Sequence, residues 1–294
     1  NCKQVRFGWF DFIDDPEVSK ALIKTVEDWG KTRSMTEIAG PLGFIDTDRE
    51  GMMVEGFDEL STMYINYNYP YYPQHMERLG LTKDCDWVEF QVKVPPVGEP
   101  NRFAKVARMV ERRYGLRVHK FTRRELVSEG WGRRVFELLN ETYKNLYNFS
   151  QLSDRQIDML VNYYIKLADL NLVTAVMDGG TMVGFGITFP SFSRALQKTR
   201  DGKILPFGWW HVIKSMYIKH EEALELMLIA VDPEYRNKGA NAMLFNELIP
   251  RIIAGGFKYG ESNAELETNN KIQNQWDLYD KQLQRVRRIF GKSI

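Results

Sequence analysis

Hydrophobic and polar positions alternate along this chain with two periods, one near two residues and one near 3.6, and the switch between them predicts its elements. Residues 5–13, rich in aromatic and branched side chains, read as a strand. Asp14, Asp15 and Pro16 then start a helix with Val18, Leu22, Val26 and Trp29 at helical spacing. A short strand over 35–39 is followed by the Gly40-Pro41 break and a glycine-containing loop. A helix over 72–79 closes at Gly80, and a half-buried strand over 87–94, with Val88, Phe90, Val92 and Val94 alternating, ends at Pro95 and Pro96. After an amphipathic helix within 95–115, the pattern predicts a strand over 116–121, helices over 131–147 and 154–168, and a hairpin pairing 172–177 with 182–189 through Asp178-Gly179-Gly180. The run 224–231 is apolar at all but one position and reads as a central strand buried on both faces. A helix over 241–254, a strand over 259–266, a helix over 270–283 and a strand over 285–290 complete the chain. The alternation predicts a layered α/β architecture.

Composition narrows the function. The chain has 294 residues, 44% of them apolar and 27% charged, enough for about two globular domains with real cores. Its 40 basic and 39 acidic residues nearly cancel, which removes the global electrostatic case for nucleic acid or an anionic membrane. Locally, nine basic residues meet only Glu111 between Arg102 and Arg124, a run that reads as a solvated helix face or as a surface for phosphate or an acidic partner. Two cysteines, Cys2 and Cys85, make no disulfide framework, so a reducing cytoplasm is expected. The longest uninterrupted apolar run, 226–231, has six residues where a membrane span needs about twenty, and no membrane partner is expected. The opening Asn-Cys-Lys-Gln lacks methionine, so the chain is expected to begin inside a longer one. The four histidines have no metal spacing, and the Asp46-Thr47-Asp48 loop lacks a twelfth acidic ligand, so no metal is proposed.

Chemistry concentrates after the buried strand. Val231 is followed by Asp232-Pro233-Glu234-Tyr235, then by Arg236-Asn237-Lys238-Gly239-Ala240-Asn241, which leads directly into a helix. Free amides at a helix start, presented from a glycine turn, form a receptor for a pyrophosphate. The stretch is neither a Gly-Lys-Ser/Thr phosphate loop nor a three-glycine dinucleotide fingerprint.

These residues resemble the acyl-CoA motif of the GNAT superfamily of N-acyltransferases, Gln/Arg-x-x-Gly-x-Gly/Ala, with Asn241 at the position where glycine or alanine is usual. The resemblance covers most of 117–294. It implies a GNAT-like mixed central sheet flanked by helices, with acetyl-CoA or another acyl-CoA as co-substrate and no metal. The backbone of Ile229, Ala230 and Val231 would pair with the pantetheine arm, and amides of Asn237, Lys238, Gly239, Ala240 and Asn241 would hold the pyrophosphate. An acyl group would pass to a primary amine, on a small molecule or a peptide, by direct attack. Glu225, the one charge in the apolar run, is the candidate base, with an exposed or ion-paired strand residue as the other reading. Tyr279 is the candidate acid, on the helix expected over 270–283, although a core tyrosine has the same spacing. Asn269 and Asn270 stand where the superfamily places an asparagine near the cofactor, and would equally serve as helix caps.

The first stretch resembles the back half of the same family more weakly, with His75-Met-Glu-Arg-Leu-Gly-Leu echoing its closing signature. Acidic residues Asp11, Asp14, Asp15 and Glu17 replace the glycine turn there and would repel a pyrophosphate. The expectation is two similar halves: a degenerate partial copy at 1–94, a connector at 95–116 and an acyl-CoA-binding domain at 117–294. Tyrosines within 64–72 would line a substrate cleft or pack as a loop, and residues 192–216 form an insertion expected to carry acceptor specificity. The competing class is a catalytically inactive acyl-CoA-binding or scaffold module.

Overall fold

The computed structural model describes residues 3–45, 48–147 and 149–294, so Cys2, Asp46 and Thr47 lie outside the described residues. The chain forms two compact units, one from residues 1–91 together with 262–294, the other from 92–261. This differs from the boundaries expected from sequence, which kept 262–294 with the carboxyl-terminal domain. The reason is pairing: the last strand closes the sheet of the first unit, a long-range contact with no local signature.

The first unit opens with β1 (Gln4–Arg6), α1 (Pro16–Lys31), β2 (Glu37–Gly40), β3 (Met52–Glu55), α2 (Tyr71–Arg78) and β4 (Thr82–Lys93). Helix α1 starts where the Asp-Asp-Pro signal placed it, with the Asp15 carboxylate accepting from the Glu17 N–H at 2.8 Å. That carboxylate occupies the helix start, where it engages the Glu17 amide. Its buried stripe is centred on Ser19, Ile23 and Gly30, while Leu22 and Trp29 are exposed. Strand β3 falls in a region read as loop.

In the second unit come α3 (Ala104–Tyr114), β5 (Arg117–His119), α4 (Arg123–Ser128), α5 (Trp131–Tyr143), α6 (Asp154–Leu167), β6 (Val173–Asp178) and β7 (Thr181–Pro190). The short helices α7 (Ser193–Gln197) and α8 (Gly208–Ile213) follow, then β8 (Ala223–Val231), α9 (Pro233–Arg236), α10 (Ala240–Ala254) and β9 (Tyr259–Ser262). The strands lie in the order β9-β8-β7-β6-β5, with β5/β6, β6/β7 and β7/β8 antiparallel. Helix α10 packs its Ala240, Met243 and Leu244 with Ala107 and Val110 of α3 and Val176, Val183 and Val231 of the sheet. Within the run 224–231, Leu224, Glu225, Met227, Ala230 and Val231 are buried as expected, whereas Leu226, Leu228 and Ile229 are half-buried.

The chain returns to the first unit with β10 (Glu265–Leu266), α11 (Asn270–Trp276) and β11 (Lys281–Ser293). Strand β11 pairs antiparallel with β2 through residues 290–293 and with β3 through 286–288, and β10 pairs antiparallel with β4. The expected strand over 259–266 is therefore two short strands, and the expected helix over 270–283 stops at Trp276. Lys281 is already committed to β11 and pairs with Asp277 at 2.6 Å, so strand pairing overrides helical periodicity.

Candidate acyl-donor site

The corner where β8 meets α10 carries the motif. Strand β8 pairs with β7 through Gly184↔Val231, Phe185↔Ala230 and Gly186↔Ile229, and its register slips between Ile187 and Thr188, which leaves Met227 as an extra residue. Such a bulge bends and twists a strand. On the other side β9 has only four residues; the Lys258 N–H meets the Glu222 carbonyl at 2.8 Å and Gly260 lies against Leu226, so it accompanies only the first half of β8. Beyond it, the Ile229 carbonyl accepts from the Tyr143 hydroxyl at 3.1 Å and the Val231 carbonyl from Arg236 Nε at 3.1 Å. The Asp232 N–H points the opposite way, to the Val183 carbonyl of β7. Because a residue's N–H and C=O lie on the same edge of a strand, the N–H groups of Ile229 and Val231 face the edge that β9 does not cover.

The turn refines the expected phosphate cradle. The amides of Asn237 and Lys238 are directed to the Tyr235 carbonyl. The first amides of α10, at Ala240 and Asn241, precede its first bond, from the Ala242 N–H to the Gly239 carbonyl at 3.0 Å. Of the five amides expected to hold a pyrophosphate, those of Asn237 and Lys238 are thus already engaged within the turn. Gly239 has φ of +87°, and a Cβ there would stand 2.9 Å from Val110 Cγ2 of α3. Its glycine is demanded by the left-handed turn and by the close helix as well as by any ligand. Arg236 is a brace: Nη2 also donates to the Thr142 carbonyl of α5 at 3.1 Å, tying helix, strand end and turn together. The Lys238 ammonium lies 3.8 Å from the centre of the Tyr235 ring, whose hydroxyl donates to Asp178 at 2.7 Å. That hydrogen bond to a carboxylate raises the Tyr235 phenol above its ordinary range.

Glu225 is completely buried, opposite Phe189 on β7, and its Oε1 accepts from Ser191 Oγ at 2.9 Å. The reading of Glu225 as an exposed strand start is thereby overturned, since β8 already begins at Ala223 inside the sheet. At about 3.3 Å per residue Glu225 lies roughly 20 Å along the strand from Val231.

Tyr279, Asn269 and Asn270 belong to the first unit, whereas Glu225 and 229–241 belong to the second. Tyr279 stands in the turn after α11, not on the helix, half-buried, with its N–H on the Trp276 carbonyl at 2.9 Å. Asn269 precedes α11 and its carbonyl accepts from the Ile272 N–H at 3.1 Å, while its side chain makes no capping bond; Asn270 is the exposed first helical residue.

Two groups of the first unit carried no sequence signal. Glu265 receives the Trp276 indole N–H at 2.7 Å, and burial pushes its carboxyl up to about 7. Glu89 is enclosed between Arg285 and Arg287, all three at most 1% exposed. The two guanidiniums extend to the carbonyls of Leu60 and Asn66 and so anchor the tyrosine-rich loop. That loop packs on its own unit, with the Tyr67 hydroxyl on the Phe57 carbonyl at 3.2 Å and the Tyr71 hydroxyl on the Phe12 carbonyl at 2.6 Å. Cys85 is buried, which pushes its thiol up to about 11 and makes it a poor nucleophile.

No protein-family model matches the chain. It is 22% identical over 293 residues to Protein YghO of Escherichia coli (strain K12), covering 98% of this chain and 74% of that protein. It is 24% identical over 241 residues to the bacterial ceramide synthase of Caulobacter vibrioides (strain NA1000 / CB15N), covering 81% of this chain and 61% of that protein. Among solved structures, the GCN5-related glucosamine N-acetyltransferase region of a fungal multi-domain β-N-acetylglucosaminidase matches 93% of this chain and 28% of that chain, with TM-score 0.50 and 8% identity. The chain has the mixed α/β fold of the GCN5-related N-acetyltransferases.

Proposed function

We propose that the protein is an acyl-CoA-dependent N-acyltransferase that moves an acetyl or longer acyl group to a primary amine by direct attack. The observation that carries this reading is the pairing, at one corner, of an open strand edge with a helix N-terminus. The N–H groups of Ile229 and Val231 suit the amide carbonyls of an extended arm, and those of Gly239, Ala240 and Asn241 suit a pyrophosphate. When bound, the acyl-CoA supplies a thioester as the electrophile. The chain's own residues would then orient the amine and move its proton: Glu225, through its bond to Ser191, as base, and Tyr279 as acid toward the leaving thiolate. Asn269 and Asn270 would contact the cofactor. The Caulobacter relative's name favours an amine acceptor, because a ceramide is an N-acylated amino alcohol. We place the reaction in the cytoplasm.

A second reading, an acyl-CoA-binding module without catalysis, is favoured by the complete burial of Glu225. Calorimetry with acetyl-CoA and a long-chain acyl-CoA, followed by mass spectrometry of an amine panel, separates the two. Heat with amide product supports the enzyme, and heat without product supports the module. The absence of heat with either donor rejects both. Asn241→Asp places a carboxylate in the proposed cradle yet suits a first helical turn, so the fold is retained. Like-charge repulsion should weaken acyl-CoA binding at least about fivefold; unchanged affinity would remove this corner from the proposal.

A further inference from the structure

Residues 194–219 of the second unit carry a run of exposed apolar side chains. Leu205 and Phe207 are 75% and 78% exposed, and Ile204, Trp209, Trp210, Ile213 and Ile218 are exposed with them. This is an ordered projection: the Trp209 N–H meets the Ile204 carbonyl at 2.7 Å and its indole N–H meets the Pro206 carbonyl at 2.8 Å. Gly208 lies so close to the Lys203 carbonyl that a Cβ would stand 2.3 Å from it, which fixes the turn that presents Leu205 and Phe207. Monomeric proteins rarely leave such a tip in water without a use for it.

The charges around the tip identify its counterpart. Between Arg194 and Lys219 there are six lysines and arginines and one acid, Asp201. Lys198, Arg200, Lys203, Lys214 and Lys219 are exposed. In a chain of net charge +1 this is a local concentration. Tryptophans beside lysines, around a projecting aliphatic and aromatic tip, match the layered polarity of a bilayer interface: apolar groups enter the acyl boundary, indoles sit at headgroup level and ammonium groups meet lipid phosphates. Protein interfaces, by contrast, are depleted in lysine.

We propose that this projection docks the second unit on an anionic lipid bilayer. The expectation of no membrane partner rested on the balanced net charge and the lack of a spanning segment, and among the described residues no helix is long and apolar enough to cross a membrane; docking through a local basic and apolar patch requires neither a net charge nor a span. The inference stands independently of the acyl-transfer reading.

The test is cosedimentation of the full chain with vesicles of phosphatidylcholine alone or mixed with phosphatidylglycerol. The protein should partition onto the mixed vesicles, more weakly as salt rises, with a blue shift of tryptophan emission. Leu205→Glu combined with Phe207→Glu should lower the partition coefficient at least about tenfold, and Lys203→Ala, Lys214→Ala and Lys219→Ala about fivefold each. These sites are exposed, so thermal melting should be unchanged. Arg108→Ala with Arg112→Ala, on the basic face of α3, should leave partition unaltered. Failure of the wild type to bind mixed vesicles, equal binding to phosphatidylcholine alone, or binding unaffected by the tip variants while lost in the α3 variant, would each overturn the proposal.

Discussion

Replacing Glu265 by glutamine isolates one buried carboxyl. Its side chain lies against Trp276, whose indole N–H it accepts at 2.7 Å, and burial lifts its carboxyl from 4.5 to about 7. Between those two values the folded chain holds a proton that the unfolded chain has released. Stability from this group is therefore fully present below pH 4.5 and lost as pH rises through about 7. A difference of that size corresponds to about 3 kcal/mol across the window. Glutamine keeps the acceptor for Trp276 and cannot ionise. Urea unfolding of both proteins, followed by circular dichroism at a series of pH values, yields the difference in stability, in which the other titrating groups cancel. The variant should match the wild type near pH 4.5 and exceed it by about 3 kcal/mol near pH 8. A flat difference would show that Glu265 ionises as it does in water. A difference of the opposite sign would show that Lys281 neutralises the carboxylate, and either result would refute the reasoning.

The remaining predictions concern the other buried acids. Glu225→Gln should reduce turnover about a hundredfold or more while sparing acyl-CoA affinity and melting temperature, if Glu225 is the base. A lowered melting temperature with unchanged turnover would assign Glu225 to structure alone. Glu89→Ala leaves Arg285 and Arg287 buried without their shared carboxylate and should cost about 3–5 kcal/mol in urea unfolding. Glu89→Leu with Arg285→Met and Arg287→Met should recover most of that loss, and an equal loss in the triple variant would contradict the electrostatic cause.

The strand ending at Val231, the turn at Gly239 and the helix behind them were legible because each follows from short-range physics. A strand buried on both faces must be continuously apolar, Asp15 and Pro16 start a helix by capping and φ restriction, and a left-handed turn selects glycine. The fold class followed from the alternation of those signals. Other features depend on partners distant in sequence. Lys281 enters a strand because β2 and β3 are ready to pair with the residues that follow, and this ends α11 before Tyr279. Arg236, the first residue of the motif, donates to the carbonyls of Val231 and of the distant Thr142, a bracing role that the motif itself does not announce.

Local periodicity and turn chemistry thus located most of the helices and strands and the glycine turn that opens α10. Only the tertiary structure decided that 262–294 completes the first unit, that Glu225 is sealed beside Ser191, and that burial raises the Glu265 carboxyl to about 7. Strand pairing, burial and desolvation are sums over neighbours that the chain brings together from far apart, and no window of sequence contains them.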